Sequence, residues 1–71
     1  MAASPKQIGQ QLRAGLREWR CHLSGRRIEQ HDFGHGDLGW IGYTPDGKRA
    51  GMSRDPNKAA GWVLTGSWDL P

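Results

Sequence analysis

Apolar residues in the first third of the chain recur at the spacing of an α-helix. These positions are Ile8, Leu12, Leu16, Trp19 and Leu23. At about 100° per residue they fall on one side of a helix. Ser4, Pro5 and Gln7 form the pattern of a capping box with proline at the first helical position. Gly25 suits the left-handed conformation that follows a helix, so the pattern predicts one amphipathic helix over residues 5–24.

Basic residues occupy the neighbouring side of the same predicted helix. They are Lys6, Arg13, Arg17 and Arg20. No acidic residue lies among them on the helical wheel, so this side forms a basic stripe. A surface helix carries polar residues in any case, and the stripe is therefore either a solvated face or a binding face for an anionic partner.

Beyond residue 27 the helical period gives way to short segments separated by turn residues, which is typical of antiparallel strands. The predicted strands cover residues 27–33, 38–43, 48–53 and 61–68. Between the second and third of them, Pro45, Asp46 and Gly47 fit a type I turn followed by a bulge. Residues 54–58 are expected to form a turn or a short helical start.

The last predicted strand alternates between two faces. Trp62, Leu64, Gly66 and Trp68 share one face, which we assign to the core. The pairs Gly39-Trp40 and Gly61-Trp62 indicate that glycine leaves room for an indole on a small sheet. An aromatic platform for stacking nucleobases is the alternative. Trp68 is the tryptophan that we expect to be exposed as a binding anchor.

These elements predict one α+β domain over residues 1–71, in which the N-terminal amphipathic helix packs on an antiparallel sheet of three or four strands. The chain has 71 residues, 4 tryptophans and 1 cysteine, so a tryptophan core replaces a thin aliphatic one and no internal disulfide can form. A core of this size supplies only about 3 to 5 kcal/mol, which leaves a homodimer possible. The chain has no apolar run long enough for a membrane span, and we expect a cytoplasmic protein.

Charge is unevenly distributed along the sequence. The net charge is +3 overall, with six basic and one acidic residue in positions 1–27 and four basic and six acidic residues in positions 28–71. The candidate binding residues are Arg13, Arg17, Arg20, Arg26, Arg27 and Trp68. Clustered basic side chains are the electrostatic signature of a surface that binds phosphates or acidic protein.

Candidate chemistry is concentrated around His31 and His35, with Cys21 and His22 upstream. The spacing does not match a usual zinc site, because adjacent residues on a helix diverge and the second, closely spaced cysteine is absent. The sequence also lacks a nucleotide-binding glycine motif and a recognisable nucleophile. We therefore expect no catalytic residues, no metal and no cofactor.

The favoured function is non-enzymatic binding. We expect a small accessory or inhibitor protein, of the sort that phages and mobile elements encode, which engages an acidic protein surface or nucleoprotein complex of a larger host assembly. Direct binding of nucleic acid through the same residues is the alternative. A third hypothesis is a metal protein or nuclease centred on His31 and His35.

Overall fold

The computed structural model describes residues 4–68. Within that range the elements are α1 (Pro5–Arg13), β1 (Glu18–Arg20), β2 (Arg27–Asp32), β3 (Leu38–Tyr43), β4 (Arg49–Ser53) and α2 (Pro56–Thr65). The strands form one antiparallel sheet in the order β1-β2-β3-β4. The predicted α+β fold with an antiparallel sheet of three or four strands is confirmed, but the second helix was not predicted.

Helix α1 begins as the sequence predicts and ends much earlier. The side chain of Ser4 accepts a hydrogen bond from the Gln7 backbone N–H, and the Gln7 side chain accepts one from the Ser4 N–H, so the capping box is present. The helix ends at Arg13, and Gly15 follows with φ +114°. Since this conformation is unfavourable for residues with a side chain and impossible within a helix, the predicted helix over 5–24 is wrong beyond its first half.

The second half of the predicted helix contains β1 and the beginning of the turn that leads to β2. Glu18, Trp19 and Arg20 pair in register with Glu29, Ile28 and Arg27. Trp19 packs against the core and Cys21 is buried, whereas Leu16 and Leu23 are exposed. The apolar positions that suggested one helical stripe therefore belong to α1, the connection after it, β1 and the β1–β2 turn, and the predicted basic stripe is divided among the first three of these.

The central strands follow the predictions. Strands β2, β3 and β4 lie at the predicted positions to within one residue. In the β3–β4 turn, the Gly47 N–H donates to the Thr44 carbonyl at 2.9 Å, and Gly47 has φ +88°. The Thr44 N–H donates to the Lys48 carbonyl at 2.8 Å, which places the predicted bulge at Gly47, whereas the register shift between Gly42 and Tyr43 is a separate irregularity of the β3–β4 pair. The turn chemistry predicted from Pro45, Asp46 and Gly47 is confirmed.

The predicted strand over 61–68 is wrong, because residues 56–65 form helix α2. The Asp55 side chain caps this helix by accepting from the Asn57 N–H at 2.9 Å, and Pro56 occupies the first turn. The buried residues Pro56, Ala59, Ala60 and Val63 follow the helical spacing. The helical start that we considered for residues 54–58 is therefore the beginning of a full helix.

Helix α2 packs on β3, β2 and β4, and α1 packs on α2. The core cluster contains residues from both helices and from the sheet: Ile8, Leu12, Cys21, Ile28, Trp40, Ala59, Ala60, Trp62 and Val63. The helices approach closely at Gly9, where an added Cβ would lie 2.0 Å from Asn57 Oδ1. Gly9 thus leaves room for the second helix to pack against α1.

Trp68 is partly buried and packs against the core, so the expectation of an exposed anchor is wrong. Its ring stacks on that of Trp62, with centroids 4.9 Å apart and an interplanar angle of 10°. Both rings lie over Gly42, where an added Cβ would come within 2.5 Å of Trp62 and 2.8 Å of Trp68. The idea that glycine makes room for indole rings on the sheet is correct, but Gly42 plays that role.

Candidate functional site

One face of the sheet is covered by α2, and the other face lies outside the core cluster. Ile28, Trp40 and Gly42 belong to the covered face, which packs against α2. Neighbouring residues along a strand point to opposite sides, so the alternate positions of β2 and β3 define what we call the open face. Ile41 lies there, and it is only 4% exposed although it is not part of the core cluster. Its register partners Glu29 and Met52 flank it.

A row of side chains crosses the open face on all four strands. Arg20 of β1 pairs with Arg27 of β2, Arg27 pairs with Tyr43 of β3, and Tyr43 pairs with Arg49 of β4. Directly opposed residues of antiparallel strands project from the same face. At about 4.8 Å between strands, this row spans about 14 Å. We call Arg20, Arg27, Tyr43 and Arg49 the arginine row.

The centre of the arginine row is held in place by contacts within the sheet. The Arg27 guanidinium carbon lies 4.3 Å from the centroid of the Tyr43 ring. Arg27 Nη1 donates to Glu29 Oε2 at 2.5 Å, and Tyr43 Oη lies 3.4 Å from His31 Nε2. The side chains that make these contacts are half-buried: Arg27, Glu29, His31 and Tyr43. The planar groups at the centre of the row are therefore oriented before any partner binds.

The two ends of the row differ from its centre. Arg20 and Arg49 are exposed, and within residues 4–68 neither side chain makes a hydrogen bond or ion pair. An exposed guanidinium carries five donors in a planar fork that matches a carboxylate or phosphate. Arg20 and Arg49 can therefore each bind an anionic group of a partner without breaking an existing bond.

Acidic side chains lie directly beside the arginine row. Glu18 pairs in register with Glu29, two positions along the strands from Arg20 and Arg27. Because Glu29 already pairs with Arg27, Glu18 is the acidic group of this second row that no basic side chain neutralises within the described chain. The open face thus combines basic, acidic and aromatic groups within a small area.

A second pair of aromatic and basic side chains lies at the far end of the open face. The Arg54 guanidinium carbon is 5.6 Å from the centroid of the Phe33 ring, and Arg54 donates to both carboxylate oxygens of Asp37. The hydrogen bonds from Arg54 lower the pKa of the Asp37 carboxyl, and Asp37 raises the pKa of Arg54. Arg54 is thus neutralised locally, and the unpaired positive charge of this face lies in the arginine row.

The predicted binding residues divide between several locations. Arg20 and Arg27 lie together on the open face. Arg17 is exposed in the connection between α1 and β1. Arg13 ends α1 and binds the start of α2, with Nη1 donating to Asn57 Oδ1 at 3.1 Å and Nη2 lying 3.7 Å from Asp55. These arginines do not form one helical stripe.

Arg26 has a role inside the fold. Its Nε donates to the Val63 carbonyl at 3.1 Å and its Nη2 donates to the Leu64 carbonyl at 3.0 Å. Ser24 Oγ also donates to the Val63 carbonyl. The last carbonyls of a helix lack partners within the helix, so the β1–β2 turn supplies donors for two of the carbonyls at the end of α2.

We expect Arg26→Ala to lower the free energy of unfolding by about 1 to 3 kcal/mol, because it removes charge-assisted hydrogen bonds from two partly buried carbonyls. Arg26→Lys should lose less, since it keeps the positive charge near the helix end. Urea titration followed by circular dichroism measures the change. Arg20→Ala is the matched control and should stay within about 0.5 kcal/mol of the parent; equal losses for Arg20 and Arg26 would contradict the role assigned to Arg26.

Tyr43 and Arg49 are the members of the row that the sequence analysis missed. Both were assigned to a predicted hairpin, but the pairing of Arg49 with Tyr43 depends on the register shift between Gly42 and Tyr43 in the β3–β4 pair. Alternation within β2 and β3 places Arg27 and Tyr43 on the face opposite Ile28 and Gly42. That signal is present in the sequence, although it identifies a shared face only once the strand pairing is known.

The histidine and cysteine residues do not assemble into a metal site. Among residues 4–68, no group of three or more His, Cys, Asp and Glu side chains is placed to hold a metal ion. Cys21 is buried, and its pKa is lowered, chiefly by hydrogen bonds from Ser24. His35 lies in the β2–β3 turn, whereas His31 belongs to β2. No helix in the described part of the chain is long and apolar enough to cross a membrane.

The fold and its open face define a small α+β domain that presents a four-stranded antiparallel sheet on one side and two helices on the other. No family model, curated protein or solved structure matches the chain.

Proposed function

We propose that this domain is a non-enzymatic binding protein whose arginine row engages an acidic surface of a larger protein assembly, in the manner of a small accessory or inhibitor protein. The observation that carries the proposal is the in-register alignment of Arg20, Arg27, Tyr43 and Arg49 on the face that neither α1 nor α2 covers. Two of the arginines predicted from the sequence, Arg20 and Arg27, thus belong to the proposed site, which lies on the sheet and not on a helix.

The composition of the row is favourable for protein recognition. Arginine and tyrosine are enriched among the residues that contribute most to protein–protein binding, and arginine binds carboxylates through two parallel hydrogen bonds. Arg27 and Tyr43 are already stacked, so little side-chain entropy is lost when they are covered. Arg20 and Arg49 supply the unpaired charge on either side of them.

The charges beside the row favour an acidic protein over a nucleic acid. A nucleic acid presents one phosphate per nucleotide and favours a continuous basic surface. Here Arg27 is paired with Glu29, and Glu18 lies next to the row, so phosphates passing over this face would meet negative charge. A protein surface can instead place a basic side chain opposite Glu18 and carboxylates opposite Arg20 and Arg49.

The test is affinity capture from nuclease-treated extract of the source cells, using immobilised protein and mass spectrometry of the bound fraction. We expect one defined protein complex to be recovered by the parent chain. The double variant Arg20→Glu with Arg49→Glu should recover at least tenfold less, because like charges at an interface oppose binding. The matched control reverses Lys6 and Lys58, which are exposed on α1 and α2, and should recover the complex normally.

Two outcomes would overturn the proposal. One is that both double variants recover the same amount of complex as the parent while circular dichroism shows each to be folded. The other is that capture requires intact nucleic acid and that a labelled oligonucleotide binds directly with an affinity that falls steeply with salt. The second outcome would assign the face to nucleic acid.

A further inference from the structure

We infer that Leu23, at the tip of the β1–β2 turn, is the apolar anchor of this interface and seats in an apolar pocket bordered by acidic groups on the partner protein. The inference rests on the proposed function and adds to it the second chemical component of the binding surface. Two observations support it: the position of Leu23 beside the arginine row, and the rigidity of the turn that presents it.

Leu23 is 96% exposed, more than any other large apolar residue described as exposed. It lies in the short turn that joins Arg20 at the end of β1 to Arg27 at the start of β2. Three residues of chain span at most about 11 Å, so the backbone of Leu23 lies no farther than that from Arg20. A single exposed leucine is unremarkable on its own, but this one follows closely in the chain on the unpaired positive charge of Arg20.

The turn that carries Leu23 is fixed on both sides. The Cys21 N–H donates to the Arg26 carbonyl and the Gly25 N–H donates to the Cys21 carbonyl, each at 2.8 Å. Ser24 and Arg26 donate to the end of α2. These contacts hold the backbone on either side of Leu23, while its own side chain remains exposed.

A second turn supports the first. An added Cβ at Gly25 would lie 3.1 Å from two side-chain carbons of Pro45, so the β1–β2 turn rests against the β3–β4 turn. A side chain presented by a fixed backbone loses less conformational entropy on binding than one on a mobile loop. The Leu23 side chain is therefore exposed on a fixed backbone, which reduces the entropy that is lost when it enters a pocket.

The chemistry of this patch selects the kind of partner. An apolar side chain next to arginines fits a pocket with apolar walls and a carboxylate rim, which protein surfaces provide. A second copy of the chain is disfavoured for a twofold axis that passes through the arginine row, because such an axis sets arginine against arginine. Phosphates offer no apolar pocket for leucine.

The partner protein recovered by the capture described above is purified. The experiment measures how tightly it binds the parent protein and variants of Leu23. Leu23→Ser should weaken binding at least tenfold, because the buried apolar contact is lost. Leu23→Met keeps the apolar volume and should stay within about threefold of the parent. Leu38→Ser is the matched control, since Leu38 is also exposed but begins β3 at the opposite end of the sheet, and it should bind like the parent.

Each failure has a separate reading. If capture yields no defined protein, the proposed function and this inference fall together. If charge reversal of Arg20 and Arg49 abolishes binding but Leu23→Ser does not, the arginine row stands and the anchor is wrong. If Leu23→Ser instead weakens an oligonucleotide complex, or dissolves a dimer seen by size exclusion with light scattering, the partner class is wrong. Unchanged urea midpoints for the Leu23 variants establish that the fold is intact.

Discussion

The Trp62→Ala variant is expected to be largely unfolded in water. Trp62 is buried in the core cluster, stacks on Trp68 and covers Gly42 of the sheet. Removing a buried tryptophan side chain costs about 3 to 5 kcal/mol, and a core in a chain of this size supplies only about 3 to 5 kcal/mol in total. One substitution therefore removes most or all of the stability.

Far-UV circular dichroism and urea titration test this expectation. Trp62→Phe is the control, because it keeps an aromatic ring in contact with the sheet and should retain a cooperative transition at a lower midpoint. A Trp62→Ala protein that still unfolds cooperatively, with a loss below about 1 kcal/mol, would show that Trp62 does not hold α2 on the sheet.

Gly42→Ala is expected to destabilise the domain by about 1 to 3 kcal/mol, which is the usual cost of forcing extra volume into a packed core. The added methyl group would meet two aromatic rings at 2.5 to 2.8 Å, so one or both of these core rings must shift to accommodate it. Gly42→Val should cost more, because it adds two further carbons at the same place. Thermal and urea unfolding measure both losses.

Gly39→Ala is the matched control on the same strand. An added Cβ there would lie 2.8 Å from the edge of the Phe33 ring, but Phe33 is 41% exposed and can turn outward. The loss should therefore be clearly smaller than at Gly42. If Gly42→Ala is more stable in the Trp62→Phe background than additivity predicts, the clash is with the indole ring; equal losses at both glycines would contradict the close approach.

The N-terminal region illustrates what periodicity cannot distinguish. Trp19 fits the helical spacing that starts at Ile8, yet the residues around it also alternate, with Glu18 and Arg20 exposed and Trp19 and Cys21 turned inward. A four-residue alternation is too short to compete with a five-position helical pattern. Residues 18–20 form a strand because they pair with β2, and the local sequence does not reveal that pairing.

Helix α2 was missed because part of its sequence also fits a strand. Asp55 and Pro56 repeat the capping pattern of Ser4 and Pro5, so the start of this helix could have been recognised. The alternating residues from Trp62 onward satisfied a strand pattern equally well, because a short apolar segment fits both periods. Packing of α1 on α2 places this segment as the central helix of the core.

The candidate site was found only in part. Arg20 and Arg27 were identified by their charge, but they were assigned to a helix and a helix exit. Tyr43 and Arg49 join them through cross-strand register. Arg26 has the same charge, but its guanidinium donates hydrogen bonds to carbonyls at the end of α2. Composition thus indicates that a basic surface exists, while hydrogen bonding determines which arginines belong to it.

The sequence by itself determined the α+β class, the capped start of α1, the central strands and the turn at Pro45 to Gly47, because each depends on contacts between near neighbours in the chain. The tertiary structure alone decided where α1 ends, that residues 56–65 are helical, and that Arg20, Arg27, Tyr43 and Arg49 share one row. Those outcomes depend on which distant segments pack together, and the free energy of that packing outweighs the small local preferences that a sequence pattern expresses.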